Sequence, residues 1–226
     1  MINDVINYSF KHKLTHVPSA LSMLTYVDVL FSNEYIKPKR DIIVLGKPFG
    51  SQAYYLIWKK LGYLDHIEKL SMGVKHAEID FVNYSEETMG NALGVAAGIA
   101  IANPDQTVWV NLTDATLQMG STLEAIQYIG HNNLKNIWMT IDGNNMQVTG
   151  KTQDVLKVSP VLTMMRDYGW NCQSIDGHNE LEIIRGCINR DVTRPNAMYF
   201  KTVKGYGVDY MEADPVKWHY RPIESL

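Results

Sequence analysis

The sequence predicts an α/β fold: a parallel central sheet with helices on both faces. Two observations carry that prediction, and a third places the chemistry. Short continuous apolar runs such as DIIVL, TVWVNL and NIWMTI lack the polar alternation of a half-exposed strand, so both of their faces are expected to be buried. Segments with apolar residues at helical spacing alternate with these runs, the order expected of a parallel sheet with helical crossovers. Polar loops, NLTDAT and DGNN, close two of the runs, and ligands on such sheets gather outside the carboxyl ends of the strands.

The elements follow in order. LSMLTYVDVLF (21–31) and AYYLIWKKLGY (53–63) carry apolar residues at helical spacing, and DIIVL (41–45) between them reads as a strand. GNALGVAAGIAIA (90–102) is a predicted helix of small residues. Its Gly90, Gly94 and Gly98 recur every fourth residue, so one helix face is expected to pack closely against backbone. Strand TVWVNL (107–112), helix STLEAIQYIG (121–130) and strand NIWMTI (136–141) come next. Helix SPVLTMMRDYG (159–169), strand CQSI (172–175), helix ELEIIRGCI (180–188) and strand AMYFKT (197–202) complete the series. The chain has 226 residues, 46% hydrophobic and 20% charged, and no linker or repeat divides 1–226, so one domain is expected.

Composition excludes several classes of function. A formal net charge of −3 gives no reason to expect nucleic acid as a partner. Cys172 and Cys187 are too few for a disulfide framework and are expected to be reduced, buried thiols. The start, MINDVINYSFKHKLTH, lacks a basic region followed by an apolar core, and no run approaches the ~18 apolar residues of a membrane span. A soluble, cytoplasmic protein with no membrane partner is the expectation. There is no GxGxxG, no GxSxG and no zinc-ligand spacing, and GKPFGSQ has its lysine and glycines in the wrong order for a P-loop. His16, His76 and His219 fall in predicted loops or near helix starts, where an isolated histidine is ordinarily a surface or hydrogen-bonded residue.

Asp114 in NLTDAT offers a charged oxygen, Asn144 in DGNN an amide oxygen, and a loop carbonyl nearby a third. Together with phosphate oxygens and water they would satisfy Mg²⁺ or the looser Ca²⁺. Taken alone, the same two residues also read as a helix N-cap and a turn former.

The order of motifs resembles the N-terminal, diphosphate-binding half of transketolases, most closely those whose two halves are separate chains. HVPSALSMLTYVDVLF is similar to the family's first histidine-and-helix motif, FGSQAYYLIWKKLGY to the segment after the first strand, and EETMGNALGVAAGIAIA to its glycine-rich helix. TDATLQMGSTLEA through IDGNNMQVTG resembles the thiamine diphosphate signature, GDG with an asparagine about thirty residues on. YGWNCQSIDGH, KTVKGYGV and a final WH follow in the family's order, and the resemblance covers nearly the whole chain.

The resemblance implies a thiamine diphosphate-binding fold and assigns roles by position. Asp114 and Asn144 would hold Mg²⁺ or Ca²⁺ through their side chains and Met146 through its carbonyl, the metal clamping the cofactor's diphosphate. Ala115, Glu87 and Met89 match positions beside the cofactor; His16 and His219 match histidines facing diphosphate or substrate, and His76 matches another. The implied reaction moves a two-carbon ketol unit from a ketose-like donor to an aldehyde or ketone acceptor. A second reading within the same cofactor class is decarboxylating transfer from a 2-oxo acid such as pyruvate, and a third is a non-catalytic structural or regulatory role. In this family the cofactor is activated by a glutamate of a pyrimidine-binding domain, expected here on a separate partner chain, with two copies of each chain in the assembly.

The chain departs from the family at four places. Thr113 and Ala115 replace the glycines of GDG, adding bulk where backbone approaches phosphate. Phe49 stands in place of a histidine. Met119 replaces the first acid of a segment whose second acid is matched by Glu124. These changes motivate the non-catalytic reading and an altered donor or acceptor.

Overall fold

The structure, a computed structural model, describes residues 1–68 and 70–224. In chain order the strands are β1 (Ile42–Leu45), β2 (Tyr84–Ser85), β3 (Val108–Thr113), β4 (Ile137–Gly143), β5 (Met146–Gln147), β6 (Gly150–Lys151), β7 (Asn171–Asp176) and β8 (Asn196–Lys201). Six of them form one sheet in the order β2-β1-β3-β4-β8-β7, every neighbouring pair parallel. β5 and β6 make a separate antiparallel hairpin. The predicted parallel sheet is therefore present, with β2 as an edge strand too short for periodicity to reveal.

The helices are α1 (Ile2–His12), α2 (Val17–Ser32), α3 (Ser51–Lys60), α4 (Ala92–Ala102), α5 (Gly120–His131), α6 (Thr152–Val155), α7 (Ser159–Asp167), α8 (Glu180–Ile188) and α9 (Asp209–Ala213). Alternation along the strands sends side chains to two cores. Ile43, Leu45, Trp109, Trp138, Met198 and Phe200 pack with α1, α2, α3 and α8. Ile42, Val44, Val110, Leu112, Met139 and Ile141 pack with α4, α5 and α7 on the opposite face. Both faces are covered, which is why the strands read as continuous apolar runs.

Helix α1 is not among the elements expected from the sequence, although Ile2, Val5 and Ile6 stand at helical spacing; Ser9 completes the inward face beside Val5 and Tyr8, its hydroxyl donating to the Val5 carbonyl at 2.6 Å. The glycine expectation is corrected. Helix α4 begins at Ala92, so Gly90 precedes it, at φ +123°, with the Glu86 carboxylate accepting from the N–H groups of Gly90, Asn91 and Ala92 at 3.0, 2.9 and 2.7 Å. A Cβ on Gly94 or Gly98 would meet nothing within 4 Å. The close-packed face is instead the alanine row Ala92, Ala96 and Ala100, which is buried.

The parallel sheet positions the site. All six strands point the same way, so the segments leaving β2, β1, β3, β4 and β8 emerge side by side at one edge. A buried polar network braces this edge from below. Trp109 Nε1 donates to Thr140 Oγ1 at 3.0 Å, and Thr140 Oγ1 and the Tyr26 hydroxyl donate to Asn111 Oδ1 at 2.9 and 3.1 Å. Asn111 Nδ2 donates to the Tyr54 hydroxyl, which in turn donates to the Lys47 carbonyl at 3.2 Å and so ties down the loop after β1.

Candidate active site

A cavity of about 590 Å³ opens over the carboxyl ends of the strands. Lys47 and Phe49 enter it from the loop after β1, Glu87 and Met89 from the loop after β2, and Thr113 and Ala115 from the end of β3. Asn144 and Met146 come from the end of β4, Lys204 from the loop after β8, His16 from the start of α2 and His219 from the C-terminal segment. Eight of the nine residues picked out from sequence thus meet at this cavity, as liners or, for Asp114, just beneath it. The ninth, His76, does not reach it: it is exposed, and its N–H and Nδ1 lie 3.0 and 3.1 Å from Ser85 Oγ.

Asp114 is fully buried between the lining residues Thr113 and Ala115. Its Oδ1 accepts from Ala115 N at 2.7 Å and Thr113 Oγ1 at 3.2 Å, and its Oδ2 accepts from Asn145 N at 2.7 Å. Burial first, then the neighbouring Asp142 charge, raise its pKa to about 6 against these hydrogen bonds. No lysine, arginine or histidine among the described residues pairs with it.

Asp142, at the end of β4, lies beside it. Burial works to raise its pKa, but Lys47 and the donors around it outweigh burial and leave the carboxyl below its usual range. Lys47 Nζ forms an ion pair with Oδ2, which also accepts from Ser22 Oγ at 2.6 Å and Asn144 Nδ2 at 2.8 Å. Because a carboxylate only accepts, this last contact fixes which end of the Asn144 amide is nitrogen. Asn144 Oδ1 is thereby turned to the other side, where it accepts from Met146 N at 3.0 Å. Lys47→Met leaves Asp142 buried without its cation. It is expected to lower stability by roughly 3–5 kcal/mol in chemical denaturation; an unchanged midpoint would show that the pair does not hold this edge together.

Lys204 is 3% exposed and has no carboxylate within ion-pair distance among the described residues. Burial, then the charge of Lys47, lower its pKa to about 8. Its Nζ lies 2.7 Å from His219 Nδ1. His16 caps the start of α2 in the left-handed region at φ 57°, and its N–H donates to the His219 carbonyl at 3.1 Å. The His16 ring stacks on Phe49 with centroids 4.9 Å apart and meets His219 edge-on at 5.0 Å. Burial first, then the lysines, lower the His16 pKa to about 4, so the ring is neutral at ordinary pH.

The four departures have these surroundings. Thr113 sits at φ −116° and ψ 163°, ordinary extended backbone, so no glycine conformation is required there. Its hydroxyl supports Asp114. Ala115 supplies an N–H to the same carboxylate and is almost wholly buried. Phe49 builds an apolar wall against His16 in place of a polar group. Met119 precedes α5 and lies close to Gly90, while Glu124 is exposed on α5. Glu87 lines the cavity rim with its side chain turned toward Lys75, 4.0 Å away.

Three residues of the site escape the sequence reading: Lys47, Asp142 and Lys204. GKPFG reads only as a failed phosphate loop and KTVKGYG only as one motif in a series. Their one sequence signal is position, directly after predicted strands.

No three His, Cys, Asp or Glu side chains converge as a metal site among the described residues. A metal here would depend on one carboxylate, an amide, a carbonyl and the oxygens of a ligand. Nor is any described helix long and apolar enough to cross a membrane.

Residues 10–223 match the profile of the family described as transketolase, thiamine diphosphate binding domain. The chain is 28% identical over 204 residues to a 6-deoxy-6-sulfo-D-fructose transketolase subunit of Clostridium sp., covering 84% of this chain and 74% of that one. It is 26% identical over 237 residues to an apulose-4-phosphate transketolase subunit of Phocaeicola vulgatus, covering 96% and 84%. A transketolase structure from Pichia stipitis shares the fold with a TM-score of 0.78 at 19% identity, covering 99% of this chain and 40% of that one.

Proposed function

The chain belongs to the transketolase family, as its thiamine diphosphate-binding domain, and from that premise we propose that it is one subunit of a two-chain enzyme transferring a two-carbon ketol unit from a ketose to an aldehyde or ketone acceptor. One observation carries the reading at the level of this chain. The cavity holds two buried charges of opposite sign with no ion-pair partner among the described residues: Asp114 has no cation and Lys204 no carboxylate. A buried charge without a counter-charge is costly. A divalent cation bound to a diphosphate would satisfy both, its positive charge answering Asp114 and the diphosphate answering Lys204.

The residues present fit such a group. Asp114, Asn144 and the Met146 carbonyl would hold Mg²⁺ or Ca²⁺, and Lys204 with the Ala115 side of the cavity would face the diphosphate. Glu87 and Met89 would border the cofactor from the β2 side. When bound, thiamine diphosphate supplies the nucleophilic carbon and electron sink of the reaction. The chain's own part is orientation and charge. Asp142 and Lys47 hold the Asn144 amide with its oxygen outward, Phe49 and Met146 exclude water, and neutral His16 and His219 offer hydrogen bonds to substrate.

Ketoses are the donors we favour, because the similar proteins of Clostridium and Phocaeicola are named for ketose substrates. A 2-oxo acid donor would use the same cofactor site, and product analysis with each donor separates the two. Two observations support the need for a partner. Both similar proteins are named as subunits, and the cavity has an apolar rim in which Met89, Val148 and Tyr220 are exposed. A chain carrying the pyrimidine-binding domain would cover that rim, with two copies of each in the assembly. The domain assignment, 1–226 as one diphosphate-binding unit in the cytoplasm, belongs to the same proposal.

Titration calorimetry of the chain with its partner tests the reading. Thiamine diphosphate is expected to bind only in the presence of Mg²⁺ or Ca²⁺, and absence of metal-dependent binding would overturn it in favour of a non-catalytic role. Asn144→Ala is expected to weaken that binding by about tenfold, less than loss of the charged ligand, since it removes a neutral donor.

A further inference from the structure

We infer that Lys204 is a positioning residue: it locks the His219 imidazole in the tautomer carrying its proton on Nε2, so that His219 meets the substrate as a hydrogen-bond donor and not as a base. This deepens, and rests on, the reading that His219 faces the substrate. The two contacting atoms are Lys204 Nζ and His219 Nδ1, 2.7 Å apart. An ammonium group has three hydrogens and no lone pair, so at this contact the ring nitrogen must accept. A neutral imidazole that accepts at Nδ1 carries its hydrogen at Nε2.

The protonation states agree with this geometry. Burial, and after it the charge of Lys204, lower the His219 pKa to about 3, so the ring is uncharged near neutrality. Lys204, lowered to about 8, remains largely an ammonium there.

Both partners are held in place. On one side of Lys204, Val203 N donates to His178 Nε2 at 2.9 Å, and on the other Gly205 N donates to the Pro18 carbonyl at 3.0 Å. The His219 ring lies edge-on to His16 and 4.6 Å from the Tyr220 ring, and its own carbonyl accepts from His16 N. Its Nε2 has no hydrogen-bond partner among the described residues and is not sealed from solvent, while the residue lines the cavity. His16 differs: its Nδ1 meets the Thr15 hydroxyl at 2.8 Å, and a hydroxyl donates or accepts equally well. The chain thus fixes one histidine of the pair and leaves the other free to adapt.

The consequence is chemical. With Nε2 protonated, His219 recognises an oxygen lone pair, that of a substrate carbonyl or hydroxyl. It has no lone pair on that side with which to take a proton from the substrate, so any such proton must leave through another group.

The test reads the tautomer directly. Long-range ¹H–¹⁵N correlation spectra of the histidine-labelled chain, with His219→Gln to assign the signals, are recorded near pH 7 without cofactor or partner. The parent is expected to show His219 with Nδ1 in the unprotonated range and Nε2 in the N–H range. Lys204→Met is expected to lose that wide separation, both nitrogens moving toward a shared average, and Lys204→Arg, which keeps a donor, to restore it. A parent spectrum with the proton on Nδ1 would overturn the inference, whatever the fate of the variants, as would a Lys204→Met spectrum identical to the parent's. Because no cofactor is present, failure here is distinct from failure of metal-dependent cofactor binding.

Discussion

Asp114→Ala abolishes metal-dependent thiamine diphosphate binding, a loss expected to exceed the ten- to hundredfold typical of outer-shell partners of a metal, about a hundredfold or more. Of the other buried carboxylates nearby, Asp142 is paired with Lys47 and Glu86 caps α4, so among the described residues neither replaces the charge of Asp114. The fold is expected to survive, because two effects of the substitution oppose each other. Burial raises the Asp114 pKa from 3.8 to about 6, so keeping it ionised near neutrality without metal costs on the order of 3 kcal/mol, which alanine removes. Alanine also strands the N–H groups of Ala115 and Asn145, at a cost of roughly 1–3 kcal/mol each when buried. The sign of the pH effect follows from the raised carboxyl. Without cofactor the parent gains stability as pH falls from about 6 toward 3.8, the folded carboxyl taking up its proton first, and the variant lacks that gain. Calorimetric titration and thermal melts of parent and variant measure both outcomes. Equal cofactor affinity in the two proteins would remove Asp114 from the metal site.

Ketol transfer is expected only when the pyrimidine-domain partner is added, with turnover by the purified chain at background. The glutamate that would activate the cofactor is expected on that partner's pyrimidine-binding domain. Within this chain, the carboxylates nearest the cavity have other engagements. Asp142 is paired with Lys47, Glu86 caps α4, and Glu87 turns outward toward Lys75. Mixing the two purified chains at a range of ratios, with a ketose donor and an aldehyde acceptor, should give activity that saturates with partner. Turnover by this chain alone would contradict the two-chain reading.

The two strand-end residues Asp114 and Asn144 are legible because each follows a continuous apolar run, and a parallel sheet brings such ends to one edge. The four departures from the family pattern are legible as differences but not as consequences. Thr113 looks too large for its place, yet the backbone there is extended and its hydroxyl serves Asp114. Lys47 and Asp142 are 95 positions apart, and no local pattern announces that one neutralises the other. His76 carries the same signal as His16, a histidine in a family-like motif, and only the path of the chain separates them. The glycine row of 90–102 has the expected spacing and a different packing, because spacing states which residues share a face and not what that face meets.

What the sequence determined by itself is therefore local: where most of the longer strands and helices lie, that the sheet is parallel and covered on both faces, and which polar residues stand at strand ends. Periodicity carries that information because burial of one or two faces repeats along the chain itself. The strand order, the partnering of Lys47 with Asp142, the isolation of Asp114 and Lys204, and the contact that sets the His219 tautomer were decided only in the tertiary structure. Ion pairing, desolvation and hydrogen-bond direction depend on distances of a few ångströms between residues far apart in sequence, and those distances exist only once the sheet has brought the loops together.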